Sequence, residues 1–305
     1  MCGIAGFVND MPIDVKCPVL QRMTDMIAHR GPDSEGHYID EHAALGHRRL
    51  SIIDLGGGQQ PIYNEDGSKV ITFNGEIYNY QTLREELIAA GHTFTTKSDT
   101  EVLLHGYEQW GVDLLQRVRG MFTFVIWDKN KQELFGARDH FGIKPFYYAK
   151  MNGTFMYASE IKSLLRHPDF VKELNAEALK PYMTFQYPAI GETFFKGVYK
   201  LPEGHYFTYR DGKMDIHRYY DEDFREGKQK LGELVNSIDQ TVCDSVKAHQ
   251  IADVEVGSFL SSGVDSSYVA AVARPQHTYS IGFGKGTYNE SQQAGELAEL
   301  LKLNN

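Results

Sequence analysis

Cysteine is scarce: Cys2, Cys17 and Cys243 are the three in a chain of 305 residues. That number offers no disulfide framework, and a reducing cytoplasm is the compartment expected. Positive charge is in deficit. With 31 Lys and Arg against 41 Asp and Glu the formal charge is −10, and no basic block occurs, which speaks against a nucleic-acid or anionic-membrane surface. No apolar run approaches the roughly 20 residues that span a bilayer. The start MCGIAGFVND has no basic segment ahead of its short apolar stretch, so no signal peptide is expected. A Walker-type phosphate loop is absent, because each Gly-Lys pair lacks the Ser or Thr that must follow. No grouping of His, Cys and Asp has zinc-ligand spacing, so no metal site is expected. What is present is an ordinary globular composition, 42% hydrophobic and 24% charged. The length suits two domains and a core without staples.

From residue 2 to about 220 the pattern is of short strands with few helices. Strands are predicted at 69–74, 121–128, 133–138, 146–150, 154–159 and 205–209. Asp66-Gly67 and Asp211-Gly212 sit between apolar runs, a hairpin signal. Helices are predicted at 80–90, closed by Gly91, and at 100–110, closed by Gly111. Ser98 followed by Glu101 fits a capping box, with Asp99 near the positive helix end. Strands joined by tight turns favour antiparallel sheets with helices packed outside. The polar run 221–230 is the expected linker core. Beyond it, 231–249 has helical spacing, 255–260 is a buried strand, 266–273 a helix and 277–283 another strand. That order belongs to a parallel, doubly wound domain, and some 75 residues do not complete one, so the chain is expected to be a fragment.

Cys2 follows the initiator methionine. A small second residue normally allows Met1 to be removed, leaving a cysteine with a free α-amine. Such an amine titrates at roughly 7.7–8.0 when unperturbed and can act as base to its own thiol near neutral pH. Nucleophile and base then share one residue, whereas Cys17 and Cys243 are expected to pack. Alone, a cysteine at position two is a coincidence. It is accompanied, however, by HRGPD from His29, RRLSIID from Arg48, FNGEIYN from Phe73, SDTE from Ser98 and GARDHFGIKP from Gly136.

These segments, in this order, resemble the class II glutamine amidotransferase domain of the N-terminal-nucleophile hydrolases across essentially the first 200 residues. The resemblance implies an αββα sandwich of antiparallel sheets that hydrolyses the side-chain amide of glutamine at Cys2, with no cofactor in this half. Amide hydrolysis passes through a tetrahedral oxyanion that needs preorganised donors. By resemblance these are Asn74 and the N–H of Gly75, where glycine also lets the backbone approach a substrate. Arg49 is a side chain able to grip an α-carboxylate bidentately. The backbone of Leu50, Ser51, Ile52 and Ile53 lines the same pocket by resemblance, and Glu76 and Asp99 face the α-ammonium. His29 and the 136–145 segment are expected to be structural.

Residues 257–267 read GSFLSSGVDSS, a strand, a small-residue loop and a helix start, which sets free N–H groups at a positive helix end. The loop resembles the SGGxDSS pyrophosphate loop of ATP enzymes that form acyl-adenylates. Ser261, Gly263, Asp265, Ser266 and Ser267 match, and Ser262 stands where glycine is usual. By the same resemblance Leu260 and Ile281 flank adenine and ribose. Together the two parts resemble the N-terminal portion of the glutamine-hydrolysing asparagine synthetases: an amidotransferase domain over 2–218, a linker over 219–230, and the incomplete start of an ATP-pyrophosphatase domain over 231–305. The implied substrates are glutamine, aspartate and ATP with Mg2+. Ammonia from Cys2 passes to adenylated aspartate, giving asparagine, AMP and pyrophosphate, and a homodimer is a further expectation. The alternatives are an amidotransferase acting on another carboxylate and a non-catalytic homologue.

Overall fold

Aromatic and β-branched residues gather in short runs broken by Gly, Asp and Asn, and most of these runs become strands. The computed structural model describes residues 1–282 and 290–305 and divides into two units, Met1–Glu222 and Asp223–Asn305. In chain order the first unit holds β1 (Gly3–Val8), α1 (Ile13–Asp25), β2 (Ser34–Ile39), β3 (Ala43–Arg49), β4 (Ile62–Tyr63) and β5 (Lys69–Ile77). Next come α2 (Tyr80–Ala89), α3 (Asp99–Trp110), β6 (Gly120–Asp128), β7 (Glu133–Arg138), β8 (Tyr147–Met151) and β9 (Thr154–Ala158). It closes with α4 (Ile161–Leu164), α5 (Leu179–Phe185), β10 (Val198–Lys200), β11 (His205–Arg210) and β12 (Lys213–Arg218).

Two six-stranded sheets result, ordered β10-β8-β9-β1-β3-β2 and β12-β11-β7-β6-β5-β4, with antiparallel pairing throughout. Their facing sides share one core, in which Ile4, Leu45, Phe155 and Tyr157 of the first sheet meet Val125, Trp127, Leu134 and Phe207 of the second. Each such side chain contributes about 1.5–3 kcal/mol on burial. The period of two then decides the outer faces. Leu134 points inward, while Phe135 beside it stacks on Tyr107 of α3 at 4.6 Å. On the other side Val19, Leu20 and Met23 of α1 cover Phe7, Ala44 and Met156. Helices outside two antiparallel sheets make the αββα sandwich expected of an N-terminal-nucleophile hydrolase.

Several sequence-based bounds change. Strand β5 runs three residues past Asn74, because β6 pairs with it as far as Ile77↔Gly120. Helix α1 is unforeseen, since Pro18 lies inside it and its buried stripe includes Lys16. That lysine is satisfied by the carbonyls of Asp40 and Glu41. The capping box at α3 is half present. Ser98 Oγ accepts from Thr100 N–H at 3.1 Å, but Glu101 turns to the N–H groups of Thr95 and Thr96, each at 2.7 Å. The Asp211-Gly212 hairpin forms as expected, both residues lying at positive φ, 51° and 73°.

The second unit contains α6 (Leu231–Ala248), β13 (Ser258–Phe259), α7 (Val264–Ala273), β14 (Thr278–Tyr279) and α8 (Ser291–Leu301), with β13 and β14 parallel. The strand expected over 255–260 shrinks to two residues and is not buried. Phe259 is 77% exposed, because one short neighbour is its only pairing partner among the described residues. The strand expected over 277–283 is likewise Thr278–Tyr279, and its predicted end, Phe283, lies outside the described residues. Leu260, Ala270, Ala294 and Ala298 form this unit's core, and α6 buries no residue. No helix among the described residues is long and apolar enough to cross a membrane. So small a core resists opening weakly. Hydrogen exchange should be fast over 223–282 and 290–305 and slowest in β5 and β6, and equal protection of these parts would contradict this account of the packing.

Candidate active site

The pairing Gly3↔Arg48 sets Cys2 beside the end of β3. Its Sγ lies 3.4 Å from Leu50 N–H, which donates to it, and 3.5 Å from Leu50 O. Arg30 Nε donates to the Cys2 carbonyl at 2.9 Å, and its Nη1 reaches Glu160 at 3.1 Å. His29 meets the same carboxylate at 2.9 Å, which makes it structural in this arrangement. Burial pushes the Cys2 thiol above its ordinary range, against the Leu50 hydrogen bond, and lowers the Met1 amine.

Asn74 and Gly75 arrive from the other sheet, in the middle of β5. Asn74 is 1% exposed, and both polar atoms of its amide lack a hydrogen-bond partner. Buried polar groups are normally satisfied, at a cost of about 1–3 kcal/mol each when they are not, and neither atom of this amide is met from within the chain. Gly75 serves packing more than ligand approach. A Cβ there would meet Met121 O at 2.2 Å and Phe122 Cα at 2.7 Å, so the requirement for glycine comes from β6.

Asp99 occupies the first position of α3, fully buried, and accepts from Ile77 N–H at 3.0 Å. Burial is the main force raising its carboxyl to about 7, partly opposed by the Ile77 hydrogen bond and helped by Glu76. Arg49 is also buried. Its Nη2 donates to the carbonyls of Ile53 and Asp54 at 3.0 and 2.7 Å, and Nη1 reaches Leu55 O at 3.4 Å. Both Nη2 hydrogens are therefore committed to the following loop, and a bidentate grip on a carboxylate has to displace them.

One cleft is lined by Cys2, Arg49, Asn74, Gly75, Asp99 and Lys144, together with Glu76, Leu50, Ile52 and Ile53. Ser51 is not among its walls, because its N–H turns to Asp33 Oδ2 at 2.8 Å. Two contributors escaped the sequence reading. Arg30 lies in a motif taken only as a signature. Lys144 lies in the 136–145 segment expected to be merely structural, yet it is a 4% exposed lysine in the cleft wall. Asp139 sets its position by accepting from Ile143 N–H and Lys144 N–H at 2.9 Å, while Arg138 Nε donates to Lys144 O at 2.8 Å.

In the second unit Leu260, Ser261, Ser266 and Ile281 line a shared hollow with Tyr279 and Glu290. Ser262, Gly263, Asp265 and Ser267 are not among its walls. The Leu260 side chain is also part of this unit's buried cluster. Ser261 Oγ and Ser266 Oγ are 2.8 Å apart, Ser267 Oγ donates to Gly263 O at 2.7 Å, and Ser262 N–H points to Glu290 at 3.4 Å. One grouping lies outside both hollows. Glu65, His92, His105 and Glu108 come together although their sequence spacing shows no ligand pattern.

A family model described as a glutamine amidotransferase domain matches residues 1–220. The chain belongs to that family. A second model, described as asparagine synthase, matches residues 237–305 of this amidotransferase-family chain. Glutamine-hydrolysing asparagine synthetase 1 of Bacillus subtilis is 44% identical over all of the chain and 49% of its own length. Synthetase 2 of the same organism is 39% identical over all of the chain and 43% of its own length. The chain thus spans about half the length of the curated relatives it matches. A solved glutamine phosphoribosylpyrophosphate amidotransferase from B. subtilis shares the fold, with a TM-score of 0.54 at 18% identity over 94% of this chain and 67% of that one.

Two stability measurements check the site's construction. Gly75→Ala forces a Cβ against β6 backbone and should cost about 1–3 kcal/mol in urea unfolding. Asp99 binds its proton more tightly folded than unfolded. Its contribution is therefore fully present below about 3.8 and is lost as pH rises to about 7. Relative to Asp99→Asn, the wild type should lose on the order of 1.4 kcal/mol per pH unit across that window, and parallel profiles would show that Asp99 is not so buried.

Proposed function

We propose that this chain carries the glutamine-hydrolysing half, and the opening of the ATP-using half, of a glutamine-dependent asparagine synthetase. The observation that carries the reading is the unmet amide of Asn74 beside the Cys2 thiol in one cleft. With Met1 removed, the Cys2 amine takes the thiol proton and Sγ attacks the glutamine δ-carbonyl. The tetrahedral oxyanion is received by Asn74 Nδ2 and the Gly75 N–H. Collapse expels ammonia with the proton held on the amine, and water then hydrolyses the thioester to glutamate. Arg49 meets the α-carboxylate, with Leu50, Ile52 and Ile53 along the pocket. Asp99 and Glu76 face the α-ammonium, and Asp99 loses its proton as that cation arrives.

The family match over 237–305 and the relatives' names support the second half of the reading. Domains at 2–218 and 231–305 joined by 219–230, Mg2+ with ATP, a cytoplasmic homodimer and aspartate as acceptor all belong to this proposal. ATP would donate its adenylyl group to the acceptor carboxylate, with release of pyrophosphate, giving the acyl-adenylate that ammonia attacks. The loop is of a kind to hold its phosphates: α7 begins just after Gly263, and that helix end presents N–H groups among serine hydroxyls. Glu290, now against Ser262 N–H, would have to move aside.

Two assays test the glutaminase. The mature chain should begin at Cys2 and release glutamate from glutamine. Cys2→Ala should abolish that release, and Asn74→Ala should lower kcat by about 10²–10³-fold. Glutamate release by Cys2→Ala at the wild-type rate, or by Asn74→Ala with unchanged kcat, would rule out this mechanism. The glutamine KM should also fall as pH rises toward about 7, where Asp99 ionises, and Asp99→Asn should bind glutamine weakly at every pH. A KM that does not change with pH would remove Asp99 from ammonium recognition.

A further inference from the structure

Outside the cleft, four side chains of metal-ligating type meet from three separate segments. Glu65 lies in the turn between β4 and β5, His92 lies between α2 and α3, and His105 and Glu108 lie on α3. One donor atom from each lies within 4.8 Å of the other three. Glu65 Oε1 is 3.1 Å from His92 Nδ1, Glu65 Oε2 is 3.3 Å from His105 Nδ1, and Glu108 Oε2 is 3.0 Å from His105 Nδ1. A tetrahedral zinc ion with bonds of about 2.0–2.2 Å holds its donors about 3.3–3.6 Å apart. The pairwise contacts of 3.0–3.3 Å, two of them made by different oxygens of Glu65, and the 4.8 Å bound on the set place the four donors within reach of one ion after modest side-chain adjustment.

The surroundings repeat the pattern. Both imidazoles turn Nδ1 inward and Nε2 outward toward an oxygen. His92 Nε2 meets Gln109 Oε1 at 3.3 Å, and His105 Nε2 is 3.6 Å from Glu101 Oε1. That Nε2 is buried, and at this distance it has no full hydrogen bond. Metal-bound histidines characteristically direct the second ring N–H at a carboxylate or carbonyl. Glu101 is itself fixed by Thr95 and Thr96, and Asn64 Nδ2 holds Glu108 Oε1 at 2.6 Å, which leaves Oε2 facing His105. Two carboxylates and two neutral imidazoles sum to −2, the complement of a divalent ion, with Lys69 Nζ at 3.7 Å from Glu108 offsetting part of it. Glu65, with a side chain 38% exposed, leaves a path from solvent.

We propose that Glu65, His92, His105 and Glu108 form a structural site for a divalent metal of the zinc type. The ion would clip the β4–β5 turn and the segment ahead of α3 onto that helix, whose first residue is Asp99. The rival occupant is a proton on His105, since an imidazolium among Glu65, Glu101 and Glu108 accounts for the same distances.

The test uses the full chain as Cys2→Ala, to remove the cleft thiol as a competing ligand, stripped by a chelator and exchanged into buffer. Zn2+ alone should bind with one equivalent by calorimetry and raise Tm by several degrees. Co2+ alone should develop the visible bands of a four-coordinate site. His92→Gln and Glu65→Gln sit at the rim, where folding is least at risk, and each should weaken Zn2+ binding at least tenfold while circular dichroism stays unchanged. Absence of saturable Zn2+ binding, or binding unaltered in both variants, overturns the site. So does a His105 ring that carries two N–H protons by NMR at saturating Zn2+.

Discussion

Antiparallel pairing of β5 with β6 is so close at Gly75 that no Cβ fits, and the candidate site depends on that contact. It fixes the height of Asn74 in one sheet. The shared core of Trp127, Phe155, Tyr157 and Phe207 then sets that sheet against the other, where β1 and β3 present Cys2 and Leu50. Nucleophile and amide come from different sheets, so neither hairpin geometry nor helix capping alone could bring them together. The site is a property of the sandwich, and the chemistry proposed for it needs both layers at their present separation.

Some of this was legible in the sequence. Cys2, Asn74, Gly75 and Asp99 each stood in a short run whose residue types suit amide hydrolysis, and resemblance supplied their grouping. Arg30 and Lys144 were not legible, because their importance is set by where distant backbone places them. Arg30 matters through the Cys2 carbonyl, and Lys144 through a loop organised by Arg138 and Asp139. The quartet Glu65, His92, His105 and Glu108 was hidden for the same reason, since gaps of 27, 13 and 3 positions match no local ligand motif. Ser51 is a different case. A run assigned to a pocket wall contains one residue whose N–H is spent on Asp33.

The fold was clearest where turns and alternation agreed. Asp211-Gly212 announced its hairpin through two residues at positive φ, and β7 alternated Leu134 inward with Phe135 outward. It was obscured where composition disagreed with context. Helix α1 carries an internal proline and a buried lysine whose charge is met by carbonyls from another segment. Strand β13 was overestimated because apolar residues at 256–260 suggest burial, while burial itself depends on neighbouring strands, and one of two residues is present among those described.

Under the mechanism proposed above, the buried amide of Asn74 has an evolutionary consequence. A folded chain that keeps two buried polar atoms unmet forgoes stability that an aliphatic side chain at the same point would supply. Mutation therefore pushes steadily toward a firmer and idle protein, and only selection for turnover opposes it. A duplicate gene released from that selection would lose this amide early, long before the sandwich around it began to fail. Among copies of this fold, the side chain at position 74 would then separate working members from scaffolds that have drifted into silence.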